Sequence, residues 1–239
     1  MISLETTVRE VVVQIPESTR VFERLNIDYC CGGNRPLMDA CDSAGVEVDA
    51  VIEMLTALDQ PGATRSDAMD LQKLSLAELI NHIVETHHVF TKSELDRVKA
   101  LADKVLGAHG DRHPELLKVS DLFQRLSADL KPHMFKEEQV LFPYIVAMEN
   151  ADTQGGPFPS APFGTVRNPV RMMTMEHDAA GEILRELRVV TSDYRVPPDG
   201  CMSYQTLYQA LENLEKDLHQ HIHLENNILF PKAVEFEAR

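Results

Sequence analysis

Two stretches of this chain, His133-Met134-Phe135-Lys136-Glu137-Glu138-Gln139-Val140-Leu141-Phe142-Pro143 and His221-Ile222-His223-Leu224-Glu225-Asn226-Asn227-Ile228-Leu229-Phe230-Pro231, share the frame His-x3-Glu-x3-Leu-Phe-Pro. On a helix, positions four apart differ by about 40° around the axis, so each His and its Glu face the same way, one turn apart. The apolar stepping says which way that is. Leu207, Leu211, Leu214 and Leu218 lead on to His221, Glu225 and Ile228, and Val119, Phe123, Leu126 and Leu130 lead on to His133, Glu137, Val140 and Tyr144. Each pair therefore sits in the apolar seam of its helix. A lone seam histidine is more often a core residue than a ligand. A carboxylate in the same seam is costly unless paired or metal-bound, and two such pairs in matching frames favour a metal.

The other two seams each contain one histidine. A helix starting at the Ser75-Leu76-Ala77-Glu78 capping box and running to about Leu106 has the seam Ile80, Val84, His88, Thr91, Leu95, Val98, with His87 about 100° away from it. A helix from about Pro169 to Ser192 has the seam Val170, Met173, His177, Ala180, Leu184. His88 and His177 are 89 positions apart, and His133 and His221 are 88 apart. The chain from 75 to 239 thus reads as two tandem helical hairpins that form a four-helix bundle, with four His and two Glu around one interior point. That set suits two metal ions, each with two His and with both Glu able to bridge. Zinc and copper bind such ligands tightly, but a dinuclear N/O site in a helical bundle points to iron. Thr91 and Ala180 are small and leave room for a bridging oxygen or a small ligand. Ferritin-like carboxylate sites need two Glu-x2-His motifs where this chain has one, Glu85 to His88, and the zincin motif is absent. Pro132 and Pro143 predict kinks in the second helix, Pro231 repeats the latter in the fourth, and 151–168 is a crossover loop. His219 and His223 lie about 200° from the seam and are expected to be exposed.

A formal net charge of -15 over 239 residues argues against nucleic acid and anionic membranes as partners. No apolar run reaches the ~18 residues of a membrane span, and Met1-Ile2-Ser3-Leu4-Glu5 lacks the order of a signal peptide, so a cytoplasmic location is expected. Residues 1–60 read as a separate small bundle of short helices (Thr7 to Gln14, Glu17 to Leu25, Pro36 to Ser43, Asp49 to Leu58), and 61–74 as a turn-rich linker. The small domain carries Cys30-Cys31-Gly32-Gly33, where two glycines allow a tight turn and the nearby helix start could lower a thiol pKa. The alternative is a buried turn with incidental cysteines. Cys41 and Cys201 read as ordinary thiols.

The all-α bundle resembles the hemerythrin-like fold. Asp28-Tyr29-Cys30-Cys31-Gly32-Gly33 ahead of such a bundle, Lys136-Glu137-Glu138-Gln139 after His133, Glu176-His177-Asp178, and Leu224-Glu225-Asn226-Asn227 together resemble the RIC family (repair of iron centres, YtfE/ScdA) over nearly the whole chain. The resemblance implies a non-haem protein with two iron ions, oxo- and carboxylate-bridged, that helps restore iron-sulfur clusters damaged by nitric oxide or oxidants, with damaged or apo iron-sulfur proteins as partners. It implies His88, His133, His177 and His221 as iron ligands and Glu137 and Glu225 as bridges, and makes Cys30 and Cys31 candidate transfer thiols. The family usually has Tyr where His87 stands. His109 matches a family histidine near the first ligands; with His113 it could bind a transient iron, against a reading as a solvated loop pair. Competing readings are a hemerythrin-like dioxygen or nitric oxide binding protein or sensor, and an enzyme reducing nitric oxide at the centre. A homodimer, with the small domain packed across it, is a further expectation.

Overall fold

The computed structural model describes residues 2–58 and 71–239, and every regular element among them is helical. The small domain consists of α1 (Val8–Gln14), α2 (Ser18–Arg24), α3 (Leu37–Ala44) and α4 (Val48–Leu58). Thr7 and Glu10 form the capping box that starts α1, and Gly45, at φ 69°, ends α3 in a conformation that costs glycine nothing. Val8, Val11, Phe22, Tyr29, Leu37 and Leu55 form its own core. Most of the expected linker, as far as residue 70, lies outside the described residues; a single 3₁₀ turn, Leu71–Lys73, precedes the bundle.

Four rods make the bundle, and three of them contain a π-helical turn. The first is α5 (Leu76–Ile83), a π turn over Val84–His88, then α6 (Val89–His109). The second is α7 (Glu115–Lys136), a π turn over Glu137–Leu141, then α8 (Phe142–Thr153). The third is α9 (Arg167–Val190), uninterrupted; the fourth is α10 (Met202–His223), a π turn over Leu224–Leu229, then α11 (Phe230–Glu237). Pro132 is absorbed inside α7. Pro143 and Pro231 stand just after the two later π turns, where the carbonyl four residues back has lost its donor and the ladder has slipped to the next one.

In the bundle α6 packs on α7 and α10, and α7 packs on α9. Apolar layers close both sides of the site region: Leu95, Val98, Phe123, Leu126, Leu184, Leu211 and Leu214 on one side, and Leu79, Ile83, Ile145, Leu229 and Phe230 on the other.

The small domain rests on the fourth rod, with α1 against the π turn 224–229. Asn227 donates Nδ2–H to the Tyr29 carbonyl at 2.9 Å, and the Tyr29 ring meets His219 and His223 edge-on, with centroids 6.2 and 5.7 Å apart. This overturns the expectation that His219 and His223 face water. Their helix face does point away from the bundle interior, but the small domain covers it, leaving His223 7% exposed and His219 half-buried.

Candidate metal centre

Each seam delivers its ligand-type side chains to one buried point. His88, His133, His177, His221, Glu137 and Glu225 are all 2% exposed or less. They form two overlapping quartets, His88-Glu137-His221-Glu225 and His133-Glu137-His177-Glu225, in which both carboxylates are shared. The tandem repeat exchanges His88 with His177, His133 with His221 and Glu137 with Glu225, so it carries one quartet onto the other. The Nε2 atoms of His88 and His221 are 3.0 Å apart, as are those of His133 and His177. Glu225 lies 3.0 Å from His221 and 3.1 Å from His177, and Glu137 3.3 Å from His133 and 3.5 Å from His88. Neighbouring ligands on one six-coordinate ion with bonds near 2.1 Å are about 3.0 Å apart, so these spacings fit a metal.

The outer ring nitrogens constrain where the protons of the point can sit. His88 donates Nδ1–H to Glu138 Oε1 at 2.7 Å, His133 to Glu176 Oε2 at 2.9 Å, and His177 to Asn226 Oδ1 at 2.9 Å. With those protons on Nδ1, the Nε2 lone pairs of His133 and His177 face one another and need a proton or a metal between them, while His221, whose Nδ1 is buried with no hydrogen-bond partner, can carry its proton on Nε2 toward His88. Both oxygens of Glu137 and Oε2 of Glu225 are buried with no donor in hydrogen-bonding geometry, a costly state for carboxylates without a positive partner.

The electrostatics agree. Burial pushes the Glu137 carboxyl up, to about 7, and the Glu225 charge acts in the same sense. Burial would also raise Glu225, but His221, His177 and His88 hold it well below the usual carboxylate range. Against the opposing effect of burial, Glu137 and Glu225 raise His88 to about 10, and Glu225 raises His177 to about 9. Burial lowers His133, to about 4, and His221 as well. One imidazole of each facing pair thus draws a positive charge while its partner stays neutral, and two metal cations would take the place of that charge.

Residues whose role was not legible in the sequence brace the inward-facing histidines from outside. Glu138 is shared with Lys92 at 2.6 Å, and Glu176 with Lys136. Each stands next to a seam ligand, Glu137 or His177, hence about 100° around the helix, where it reaches the histidine of the neighbouring rod. Adjacency to a ligand was the available signal. His87 is buried, as His88 is, but it bonds through Nδ1 to Asp217 Oδ1 at 3.0 Å and stacks on His221, with centroids 5.8 Å apart, so it stays outside both quartets. An apolar groove of about 510 Å³ lined by Ile80, Val84, Phe142, Pro143 and Val146 reaches Glu138, though none of the six ligand-type residues lines it.

The Cys30-Cys31 turn lies against the third rod. Asp28 Oδ1 accepts the backbone N–H groups of Cys30, Cys31 and Gly32 at 3.1, 2.9 and 3.0 Å. Cys31 Sγ is 3.5 Å from the His177 carbonyl oxygen and 3.8 Å from Cys30 Sγ, and Asn226, which holds the His177 ring, donates Nδ2–H to the Cys30 carbonyl at 3.3 Å. The two glycines serve close approach rather than an unusual backbone: a Cβ on Gly32 would lie 2.9 Å from the Asp28 carbonyl oxygen, and one on Gly33 2.9 Å from Asn227 Oδ1. Cys30 is buried and Cys31 half-buried. The expected lowering of thiol pKa does not hold for Cys30, which its hydrogen bond with Cys31, burial and the Asp28 charge push well up. His109, read as part of a solvated pair, is instead 7% exposed.

The family model described as the hemerythrin HHE cation binding domain matches residues 79–233, and the ScdA_N model, described as a domain of unknown function, matches residues 4–59. The chain is 35% identical over 225 residues to a probable iron-sulfur cluster repair protein of Haemophilus influenzae, covering 94% of this chain and 95% of the relative. It is 33% identical to the iron-sulfur cluster repair protein YtfE of Dickeya chrysanthemi, covering 95% and 96%. It is 28% identical to the iron-sulfur cluster repair protein ScdA of Staphylococcus haemolyticus, covering 97% and 99%.

Proposed function

Since the chain belongs to the hemerythrin HHE family, among the iron-sulfur cluster repair proteins of the YtfE/ScdA kind, we propose that its six buried His and Glu side chains hold two iron ions and that it returns iron to damaged or apo iron-sulfur proteins. The observation that carries this reading is the pair of quartets sharing both carboxylates, with two Nε2···Nε2 contacts of 3.0 Å. His88 and His221 would hold one ion, His133 and His177 the other, with Glu137 and Glu225 spanning both. Iron bound there supplies ligand exchange and one-electron chemistry. The chain's own residues keep water out through the apolar layers on either side and keep the Nδ1 protons on Glu138, Glu176 and Asn226.

Delivery runs past His177. Asn226 touches both the His177 ring and the backbone of Cys30, so the thiol turn and the ligand are mechanically joined. Cys31 is the better exposed of the two thiols and lies on the His177 backbone, where it is placed to meet outgoing iron. All four cysteines are free, as the reducing cytoplasm proposed for this protein would keep them. No described helix is long and apolar enough to cross a membrane.

A second reading has one observation in its favour. Thr91 Oγ1, one turn beyond His88, is buried and has no hydrogen-bond partner, which suits a small bound ligand such as nitric oxide or dioxygen. Reduction of nitric oxide would then make the protein an enzyme.

Metal analysis of the purified protein followed by transfer to an apo iron-sulfur acceptor separates these. Two irons per chain, absent from Glu137→Ala/Glu225→Ala and delivered to the acceptor, support repair. A full iron complement in that double variant would overturn the ligand set, and turnover of nitric oxide without transfer would favour the second reading. Cys30→Ser/Cys31→Ser is expected to keep both irons and to slow delivery.

A further inference from the structure

The end of the bundle remote from these quartets has a second gathering of ligand-type side chains. His109 closes α6, and His113 follows one turn later, its N–H on the His109 carbonyl at 2.9 Å. The connection from α9 to α10 brings Asp199 and Cys201 against them. His113 Nε2 is 3.0 Å from Asp199 Oδ1, and His109 Nε2 is 3.1 Å from Cys201 Sγ. One ligating atom each from His109, His113 and Asp199 falls within 4.8 Å of the others, while Cys201 Sγ lies outside that group and meets it through His109. The 21 residues of α6 separate this cluster from His88, roughly 30 Å at the rise of a helix, so it is not part of the first centre.

The wiring around His113 repeats the arrangement seen at His88. Its Nδ1 is bonded to Glu115 Oε1 at 2.9 Å, the carboxylate-imidazole pairing that orients a metal-binding histidine. A carboxylate therefore faces each of its ring nitrogens, and its Nε2 needs either a proton or a cation to meet Asp199 Oδ1. Arg112 Nη1 occupies the other Asp199 oxygen at 2.9 Å and leaves Oδ1 for that role. Arg112 also approaches His109 Nδ1, at 3.5 Å. His109 is buried against the edge of the Tyr204 ring, with centroids 5.5 Å apart, which limits how the imidazole can turn. Cys201, the residue at the start of α10, is exposed and free.

We propose that His109, His113 and Asp199 form a mononuclear site for a divalent cation of the zinc class, with Cys201 turning in from its contact with His109 as fourth ligand, fastening the α6–α7 turn to the α9–α10 connection. Two imidazoles, one carboxylate and one thiolate are the mixed, borderline donor set of a four-coordinate zinc site. This site is independent of the iron reading above. Its ligands come from two turns, one in each hairpin, so a bound ion would cross-link the two hairpins.

Zinc retention and cobalt spectroscopy on the iron-loaded protein test it. After incubation with Zn²⁺ and gel filtration, one zinc per chain is expected in the wild type and none in His113→Ala/Asp199→Asn, with iron content unchanged as the sign that the bundle has folded. With Co²⁺ as probe, a thiolate-to-metal absorption band is expected. The His/Glu centre contains no sulfur and cannot produce it, and Cys30→Ser/Cys31→Ser excludes the other thiol turn, so the band should persist in that variant and vanish in Cys201→Ser. Equal zinc in the wild type and in His113→Ala/Asp199→Asn would overturn the site, as would no retained zinc in the wild type. Zinc lost in the double variant without any thiolate band in the wild type would overturn the four-ligand form by removing Cys201.

Discussion

A single ring separates the two adjacent histidines of the first rod. His88 Nε2 faces His221 at 3.0 Å, whereas His87 turns about 100° away to Asp217 and only stacks on His221. His88→Ala is therefore expected to lose at least one metal ion per chain, and His87→Ala to keep both; metal analysis of the two single variants checks it, and equal losses would refute the assignment. Glu138→Gln keeps the shape but removes the charge that orients His88, and should weaken metal binding about 10–100-fold, read by competition with a chelator. The Glu137 carboxyl, raised to about 7 by burial and by Glu225, must give up its proton to bind metal. Affinity should rise with pH through neutrality and fall on acidification, with proton release on metal binding measured in weakly buffered solution.

At the level of elements, the three π turns each contain one of the six inward-facing His and Glu: Val84–His88 ends on His88, Glu137–Leu141 begins with Glu137, and Leu224–Leu229 contains Glu225. The histidine of α9 is the contrast, since His177 lies mid-way along an uninterrupted helix. A π turn interrupts the i→i+4 ladder of the flanking α-helix, and Pro143 and Pro231 remove one donor each just beyond two of them. Amides of 137–141 and 224–229 are expected to exchange hydrogen faster than those around His177, and exchange followed by mass spectrometry would show equal protection if the π turns were not softer. The prolines were visible in the sequence as kinks, but that the helix would widen into a π turn was not. A proline reports a missing donor, and the packing of four rods around two carboxylates decides how the ladder closes over the gap. The Val84–His88 turn has no proline and left no trace in the sequence.

The two domains meet at a contact set by a few polar atoms. Asn227 joins the Tyr29 carbonyl to His223, whose Nδ1 accepts from Asn227 at 2.9 Å. Burial lowers His223 to about 4, so its neutral form supports docking fully above the ordinary histidine value of about 6.5 and that support is lost as pH falls towards 4. The small domain should loosen over that window while the bundle stays helical, seen as increased protease cleavage between the domains with unchanged far-ultraviolet circular dichroism. Unaltered cleavage at pH 4.5 would count against it. Asp28, held below the usual carboxylate range by the N–H groups of Gly32 and Cys31 in spite of burial, loses its contribution only at lower pH, below about 3.9.

Periodicity and the doubled His-x3-Glu frame were enough to identify the four rods, their seams and all six inward-facing His and Glu, because a helix converts sequence spacing directly into angle. Which histidines share a quartet, and that His223 is buried under Tyr29, depended on how separate segments meet, and spacing along one helix contains no information about the neighbour it faces. The same holds for Glu138, Glu176 and Asn226 behind the ligands, and for Asp199 and Cys201, some 90 residues from the His109 and His113 they approach. Local angle was written in the sequence; the partner across the gap was decided only when the rods and the small domain packed together.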